Sequence, residues 1–274
     1  GKTMAIRLII TDLDGTFLSD FFTVSEENKC AVKAAQAKDV LVCACTTRNW
    51  RAAKEVVNQG GFAGITACSN GAAFVRPENE AVLEKHCMPK EGVKEIVEES
   101  LRHGAKMALH TFDGSYIEKD TAPAHFLQKG EDVPPDFAAM LCDGTEQMLS
   151  LAGQRVEMVE VVGKNGEQMP LSWSEKVNRT GLYYIANQNK GTYHITMRSA
   201  SKLQAAKQLA RMYGAKPEEI MCLGDTYSDQ EMIQWAGIGV ATGNAEEGLK
   251  PLADYVTGRC DEGGFAQAVE KFVL

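Results

Sequence analysis

The sequence predicts an α/β fold in which a parallel sheet is interrupted by an inserted α+β domain. In the first 80 residues, short apolar runs alternate with helical patterns, as in βαβ units. Between residues 81 and 197 the pattern changes to strand-like segments separated by hairpin signals, which indicates an antiparallel sheet. The βαβ pattern then returns. We therefore expect a core formed by residues 1–80 and 198–274, with the inserted domain at 81–197.

The first half of the core contains two β-α repeats and a short third strand. Ser25 precedes Glu26 and Glu27, and a hydroxyl followed by acidic residues is typical of a helix N-terminus. Gly60-Gly61 marks the end of the second helix, and Ser69-Asn70-Gly71 predicts a turn. The predicted elements are a strand at 8–11, a helix at 26–38, a strand at 40–45, a helix at 50–58 and a strand at 65–68.

The inserted region and the second half of the core follow less regular signals. Within the insertion we predict strands at 81–87, 106–110, 155–162, 181–187 and 192–197, and a helix at 90–101. Hairpin turns are indicated at Asp113-Gly114 and at 187–191, and Pro134-Pro135 punctuates a middle that carries no clear periodicity. The second half of the core should contain a helix at 201–213, a strand at 220–223, a helix to Trp235, strands at 238–241 and 254–257, and further helices.

Composition narrows the class of partner. The net charge of -8 argues against nucleic acid or an anionic membrane as the main partner, whereas a small phosphorylated substrate needs only local positive charge. No apolar run approaches the roughly 20 residues of a membrane helix. The eight cysteines include no Cys-x-x-Cys pair and no signal peptide is recognisable, so we expect reduced thiols in a cytoplasmic protein.

Two carboxylates at the end of the first strand are the main functional signal. Asp12 and Asp14 lie two residues apart, and on an extended chain such residues share a face. Packing like charges together costs free energy unless a cation lies between them. Gly15 permits a sharp turn directly after the pair. Because an acidic turn would look the same, the interpretation depends on the rest of the chain.

Four separated motifs occur in a fixed order. They are Asp12-Leu-Asp14-Gly-Thr16, Thr46-Thr47-Arg48, Lys202 in the first turn of a predicted helix, and Gly224-Asp225-x-x-x-Asp229 followed by a glycine-rich run at 236–245. In this order the chain resembles the Cof-type phosphatases of the haloacid dehalogenase superfamily. The resemblance implies a Rossmann-like core with the motifs at the carboxyl ends of its strands, and a large α+β cap of the C2B type at 81–197.

The resemblance also implies a role for each motif residue. Asp12 would attack phosphorus and form an aspartyl phosphate, and Asp14 would serve as general acid and then as general base. The implied Mg²⁺ ligands are Asp12, Asp14, Asp225 and Asp229, with Asp14 binding through its backbone carbonyl and Asp229 ordering the shell. The phosphoryl group would contact Leu13, Thr46, Thr47, Lys202 and Ser228, with both the hydroxyl and the backbone N–H of Thr46 facing it.

Two residues depart from the family pattern. Thr47 stands where the family has glycine, and its β-branched side chain restricts how closely the backbone approaches a phosphate. Ser228 stands where the family has asparagine and lacks the second hydrogen-bonding group of an amide. The five histidines all lie in the inserted region, where we expect surface or packing roles.

The sequence thus predicts a Mg²⁺-dependent phosphomonoesterase for small phosphorylated metabolites, with sugar phosphates as the first candidates. A phosphomutase would pass the same aspartyl phosphate to a sugar hydroxyl instead of water. A third alternative is a catalytically weak ligand-binding or regulatory protein on the same fold. The intact Asp12 and Asp14 pair argues against this third alternative, whereas Thr47 and Ser228 leave it open.

Overall fold

A computed structural model of the protein describes residues 5–126, 139–189 and 191–274. The strands of the core are β1 (Leu8–Thr11), β2 (Leu41–Ala44), β3 (Thr66–Cys68), β4 (Ala73–Val75), β12 (Ile220–Gly224), β13 (Ile238–Ala241) and β14 (Tyr255–Val256). Between them lie β5 (Val82–Lys85), β6 (Lys106–Thr111), β7 (Gly114–Glu118), β8 (Met140–Cys142), β9 (Met158–Val162), β10 (Tyr183–Asn189) and β11 (Thr192–Met197). The helices are α1 (Glu26–Ala37), α2 (Trp50–Gly60), α3 (Lys90–Arg102), α4 (Thr145–Ala152), α5 (Leu171–Val177), α6 (Lys202–Tyr213), α7 (Gln230–Trp235) and α8 (Gly264–Phe272).

The core is a five-stranded parallel sheet with the order β14-β13-β12-β1-β2, as the βαβ pattern predicts. Strand β1 lies inside this sheet, between β12 and β2, and is buried along its length because helices cover both faces of the sheet. Thr11 pairs with Ala44 on one side and with Leu223 on the other. The residues that follow β1, β2 and β12 therefore emerge at one edge of the sheet, which is where α/β folds bind ligands.

Side-chain caps fix where three helices of the core begin. The hydroxyl of Ser25 accepts from the backbone N–H of Asn28 and begins α1, as predicted. Ser201 caps α6 in the same way, so Lys202 is the first residue of that helix. Asn49 caps α2 directly after the Thr46–Arg48 segment. Each cap sets where its helix starts, and hence where the side chains of the preceding loop can reach.

The inserted region contains a six-stranded sheet with the order β10-β11-β9-β6-β7-β8. Its pairs are antiparallel except β7 with β8, in line with the predicted antiparallel sheet. One face packs on α3, α4 and α5 around the buried rings of Trp173 and Tyr193. The Pro134-Pro135 pair lies outside the described residues, as does Lys190 in the predicted turn at 187–191.

A third sheet joins the two regions. It has the order β3-β4-β5, and a bridge between Cys45 and Ala67 connects it to the end of β2. The strand that we predicted at 81–87 is β5, and it pairs with β4 rather than with the six-stranded sheet. The division of the chain at residues 81 and 197 stays a prediction.

Hydrogen bonds also connect the β6–β7 hairpin to the start of α2. The side-chain amide of Asn49 donates to the carbonyl of Thr111 (2.9 Å), and Arg51 donates to the carbonyl of Asp113 (2.9 Å). The inserted region therefore contacts the core beside the loop that carries Thr46, Thr47 and Arg48. Within the described ranges, no helix is both long and apolar enough to cross a membrane.

Candidate active site

Three carboxylates meet at the carboxyl edge of the parallel sheet. Asp12 follows β1, while Asp225 and Asp229 follow β12, and one oxygen atom of each lies within 4.8 Å of the others. Gly15 makes this approach possible because a Cβ at that position would overlap the carboxylate of Asp225. Its φ of +76° is also a conformation that glycine adopts without strain. The sequence predicted this cluster, and the structure brings its three members together.

Lys202 is the cation of the cluster. Its ammonium lies 3.0 Å from Oδ1 of Asp12 and 2.7 Å from Oδ1 of Asp229, and the residue is only 2% exposed. Burial lowers the pKa of Lys202, but the carboxylates of Asp12 and Asp229 outweigh it, so the pKa is raised and the charge is kept. These ion pairs also offset the unfavourable position of a cation at a helix N-terminus.

Asp229 is engaged at both of its carboxylate oxygens. Oδ1 accepts from Lys202, and Oδ2 accepts from the backbone N–H groups of Asp225 (3.0 Å) and Thr226 (3.2 Å). The residue is completely buried. The bonds hold the loop after β12 against α6, which fixes the position of Asp225.

The electrostatics of the cluster fit a divalent cation. Burial, with the carboxylates of Asp229 and Asp225, raises the pKa of Asp12 well above its ordinary value, although Lys202 opposes this. Burial raises the pKa of Asp225 to about 6. A hard cation bound to these oxygens would remove the repulsion and keep both groups ionised. The donor set consists of oxygens alone, which is the set that Mg²⁺ prefers.

Asp14 points into the cleft and is held by Arg48. Nε of Arg48 donates to Oδ2 of Asp14 (2.8 Å), and Nη2 donates to Oδ1 (2.6 Å). The guanidinium is itself fixed by the carbonyls of Ala52 and Phe21. The Asp14 side chain stays 42% exposed, so it remains accessible to a substrate. The sequence motif includes Arg48 but assigns it no role; the signal for its role is an arginine two residues after Thr46.

The loop after β2 differs from our expectation in one respect. The backbone N–H of Thr46 donates to the carbonyl of Ala67 (2.9 Å), so it does not face a phosphoryl group as we expected. This bond exists because β3 continues the sheet beyond β2. The hydroxyl of Thr46 accepts from the N–H of Arg48 (3.0 Å), and that of Thr47 donates to Asn70 (3.0 Å). The β-branched side chain of Thr47 is therefore turned toward Asn70.

Leu13 and Ser228 are two further residues that we predicted as phosphate contacts. The N–H of Leu13 donates to Oδ1 of Asp12 (2.9 Å), so it orients the predicted nucleophile. The hydroxyl of Ser228 lies 2.8 Å from that of Thr226. Both residues remain predictions as phosphate ligands. Thr226 was not predicted, and nothing in the motif pattern marks it.

A pocket of about 300 Å³ opens over the cluster. Its lining residues are Asp12, Asp14, Gly15, Leu18, Ser19, Asp20, Phe21, Thr47, Lys202, Asp225 and Thr226. Five of these are predicted site residues. The other predicted site residues are not part of this lining: Leu13, Thr46, Ser228 and Asp229. Phe21, which is 61% exposed, places an aromatic ring at the pocket wall and had not been predicted.

Three of the five histidines gather around one buried carboxylate on the six-stranded sheet. Nε2 of His110 and of His194 lie 3.2 and 3.5 Å from Oε1 of Glu160, and Nε2 of His125 lies 3.0 Å from Oε2. Burial alone would raise the pKa of Glu160, but hydrogen bonds from the three rings outweigh it and hold the pKa well below the ordinary value. The three histidines thus cluster around Glu160, which their sequence positions did not reveal.

Comparison with known proteins agrees with this geometry. The sequence model of the haloacid dehalogenase-like hydrolases matches residues 9–269. Phosphatase YwpJ of Bacillus subtilis (strain 168) is 27% identical, with 97% of this chain and 99% of the relative covered. The 5-amino-6-(5-phospho-D-ribitylamino)uracil phosphatase YcsE of the same organism is 26% identical, with 98% and 96% covered.

A solved structure shares the fold. The sugar phosphatase BT4131, of subclass IIB of the superfamily, superposes with a TM-score of 0.77 at 23% identity, and 97% of this chain and 98% of that chain are covered. The match of the family model over nearly the whole chain, together with the clustered motif residues, shows that the protein belongs to the haloacid dehalogenase-like hydrolases and is a phosphatase of that family.

Proposed function

We propose that this phosphatase hydrolyses small phosphorylated metabolites, with sugar phosphates as the first candidates, by a Mg²⁺-dependent route through an aspartyl phosphate. The observation that carries the proposal is the position of Asp12 at a small polar pocket, between Lys202 and the acidic cluster. A carboxylate needs no base to make it nucleophilic, and the neighbouring charges are those that a phosphoryl group requires.

Asp12 is oriented for the first step by two groups of this chain. Its Oδ1 accepts from the N–H of Leu13 (2.9 Å) and pairs with Lys202 (3.0 Å), which leaves Oδ2 for attack on phosphorus. Asp12 and Asp225, with the backbone carbonyl of Asp14, would hold Mg²⁺, and Asp229 would order the loop around it. When bound, the ion supplies charge neutralisation between the carboxylates and the phosphate.

Asp14 would move the proton. As general acid it gives a proton to the leaving oxygen, and as general base it takes one from the water that cleaves the aspartyl phosphate. Arg48 fixes the direction of the carboxyl group through its two hydrogen bonds, so that both transfers use one geometry. Thr46 and Thr47, with Lys202 and Ser228, would contact the oxygens of the transferring group.

The size and lining of the pocket support a small substrate. A volume of about 300 Å³ lies at the lower end of the usual range for ligand sites, and much of the lining is polar. A sugar phosphate fits this description, and a structural neighbour is named a sugar phosphatase. Several relatives are named as phosphatases of 5-amino-6-(5-phospho-D-ribitylamino)uracil. The exposed ring of Phe21 supports such a substrate as second candidate, because an aromatic side chain stacks on a planar heterocycle.

The acceptor of the phosphoryl group distinguishes a phosphatase from a phosphomutase. A phosphomutase would need a sugar hydroxyl, rather than water, next to the aspartyl phosphate. We propose hydrolysis because Asp14 is accessible from the open pocket, where water can reach it.

We also propose a cytoplasmic location, which is supported by eight free cysteines.

The test is a panel of phosphate esters with purified enzyme. We expect release of inorganic phosphate from sugar phosphates or from the ribitylaminouracil ester when Mg²⁺ is present, and none in excess chelator. Asp12→Asn should reduce release to background while circular dichroism stays unchanged. Formation of an isomeric sugar phosphate without free phosphate, dependent on a bisphosphate activator, would instead indicate a mutase. A wild-type enzyme inactive on the whole panel but able to bind its members would indicate the regulatory alternative.

A further inference from the structure

The tight turn Ser69–Gly71 contacts every residue of the Thr46–Arg48 loop. The N–H of Asn70 donates to the carbonyl of Thr46 (2.9 Å), and the N–H of Ser69 donates to the carbonyl of Arg48 (2.9 Å). The side chain of Asn70 accepts from the hydroxyl of Thr47 (3.0 Å). The turn therefore supports the predicted phosphate loop from behind, through backbone and side-chain hydrogen bonds.

The backbone of this turn is unusual. Ser69 and Asn70 have φ values of 49° and 55°, a conformation that residues other than glycine seldom adopt and that costs free energy. Gly71 is pressed against α6, where a Cβ would lie 2.9 Å from that of Ala205. Such a turn keeps its shape only if its surroundings hold it. Its position therefore depends on what contacts Ser69 and Asn70.

A carboxylate from the inserted region contacts Ser69. Glu157 lies just before β9, and its N–H donates to the carbonyl of His110 (2.9 Å), which anchors it to the six-stranded sheet. The hydroxyl of Ser69 donates to Oε1 of Glu157 (2.9 Å). Glu157 is completely buried, and its Oε2 has no hydrogen-bond partner among the described residues.

A buried carboxylate with one hydrogen bond is costly to keep. Burial, with a smaller contribution from Asp113, raises the pKa of Glu157 to about 6, although Ser69, Lys85 and His110 oppose this. The thiols of Cys68 and Cys87 also lie near Glu157, and its charge contributes to raising the pKa of each. A glutamine or an apolar residue would fill the same space at less cost, so the stability of the fold does not account for the carboxylate.

We propose that Glu157 is a positioning residue for the phosphate loop, and that it acts through Ser69 and Asn70 on Thr46, Thr47 and Arg48. The inference rests on the proposed function, because it assumes that this loop binds the transferring phosphoryl group. Through Glu157, the inserted region controls the geometry of the phosphate site. Groups at such a loop must stay within about 0.5 Å of the productive geometry, so the loss of one distant hydrogen bond has a measurable effect.

The test compares Glu157→Ala, Ser69→Ala and the double variant with Glu118→Gln. Glu118 is a suitable control because it is buried in the same sheet, and among the described residues its carboxylate accepts hydrogen bonds only from Asp120 and Thr121 of the inserted region. We expect each single variant to lower kcat/KM for p-nitrophenyl phosphate about tenfold, and the double variant to be no worse than the singles. The inhibition constant of inorganic phosphate should rise to a similar extent.

Glu157→Gln preserves the side-chain volume and an oxygen acceptor for Ser69. Comparison with Glu157→Ala therefore separates the loss of the hydrogen bond from a general effect on folding. We expect this variant to recover most of the activity lost in Glu157→Ala. Because an ionised carboxylate is the stronger acceptor, the wild type should exceed Glu157→Gln more at pH 7.5 than at pH 5.5. The ionisations of the substrate and of the acidic cluster are common to both proteins and cancel in this ratio.

Two results would overturn the proposal. The first is a kcat/KM of Glu157→Ala within twofold of that of Glu118→Gln. The second is a loss of kcat/KM in the double variant equal to the product of the losses in the two single variants. Thermal unfolding with and without inorganic phosphate measures binding at the loop without catalysis, so it separates this proposal from the proposed function. If the wild type binds phosphate but hydrolyses none of the panel, the proposed function fails. Loss of phosphate stabilisation in Glu157→Ala would still support the link, and unchanged stabilisation would refute it.

Discussion

Arg48 donates two hydrogen bonds to Asp14, one to each carboxylate oxygen, at 2.8 and 2.6 Å. The guanidinium is buried while the carboxylate is partly exposed, so the arginine is the fixed partner of the pair. Such a paired geometry is specific to the planar fork of arginine. The pair therefore connects the loop after β2 to the residue that we propose as general acid.

The first prediction concerns this pair. Arg48→Lys keeps the charge but cannot form both bonds, so Asp14 should lose its fixed direction. We expect kcat for a sugar phosphate to fall about tenfold or more, and kcat for p-nitrophenyl phosphate to fall much less, because a nitrophenolate leaves without a proton. Arg7→Lys is the control, since Arg7 pairs with Glu219 at the other end of β1. Equal losses for the two esters would contradict the positioning role.

The second prediction concerns Thr47. Thr47 lines the pocket, but its hydroxyl is bonded to Asn70, so replacing it by the family's glycine should not improve the enzyme. We expect Thr47→Gly and Thr47→Val to lower kcat/KM several-fold, because both lose the hydroxyl that contacts the turn. Thr47→Ser should stay close to the wild type. Higher activity in Thr47→Gly, measured at saturating Mg²⁺, would show that the β-branched side chain does hinder the substrate.

The third prediction concerns the metal. Asp225→Ala removes one proposed ligand and also reduces the repulsion that raises the pKa of Asp12. We therefore expect the variant to fold normally in chelator, and to need much more Mg²⁺ for half-maximal activity than the wild type. Thermal unfolding with and without Mg²⁺ gives a second readout: the ion should stabilise the wild type and have little effect on the variant. Equal stabilisation of both proteins would place the ion elsewhere.

The fourth prediction concerns pH and the histidine cluster. The hydrogen bond to Glu160, opposed by burial, raises the pKa of His125, so its pairing stabilises the fold fully below the unfolded value of about 6.5. That contribution is lost as pH rises through the raised pKa in the folded state. His125→Ala should therefore cost more stability at pH 5.5 than at pH 8.5.

The difference between these two costs should be small, about 1 kcal/mol or less, because half of the His125 side chain is exposed to solvent. Urea unfolding at both pH values measures it. Glu160 contributes with the opposite sign: its pKa is held low, so its stabilisation is present above the unfolded pKa of about 4.3 and is lost in acid. A cost of His125→Ala that grows with pH would contradict the pairing.

Signals within a few residues made the core and the acidic cluster predictable. Ser25 and Ser201 cap their helices, and Asp12, Asp225 and Lys202 lie directly beside the ends of strongly apolar strands or helix starts. Each of these features depends on residues near it in the chain. The parallel order of the sheet then brings the separate strand ends together without further information.

Features that depend on distant contacts could not be predicted. Asp14 and Arg48 are 34 residues apart, and Ser69 and Glu157 are 88 apart. Helix α5 has seven residues and starts after Pro170 without a side-chain cap, and α4 begins after Gly144 in the same way. Both helices are held by packing on the six-stranded sheet, and packing leaves no capping signal in the sequence.

The last prediction separates the proposed roles of Asp12 and Asp14. Asp14→Asn removes the proposed acid and base but leaves Asp12 in place. With sugar phosphates, formation of the aspartyl phosphate should slow sharply because the alkoxide leaves without a proton. With p-nitrophenyl phosphate this step should remain fast, and hydrolysis of the aspartyl phosphate should become rate-limiting because no base activates the water. The variant should then release a burst of nitrophenol near one equivalent per site, followed by slow turnover.

Rapid mixing measures the burst, and mass spectrometry of the quenched enzyme should find the phosphate on Asp12. Asp20→Asn is the matched control, because Asp20 also lines the pocket but its carboxylate accepts only from the backbone of Phe22 and Thr23 in the described structure. It should show neither a burst nor trapped phosphate. Equal slowing of both ester types in Asp14→Asn, without a burst and without phosphorylated enzyme, would remove the acid and base role from Asp14. The proton would then have to come from solvent, and the bonds between Arg48 and Asp14 would serve only the shape of the loop.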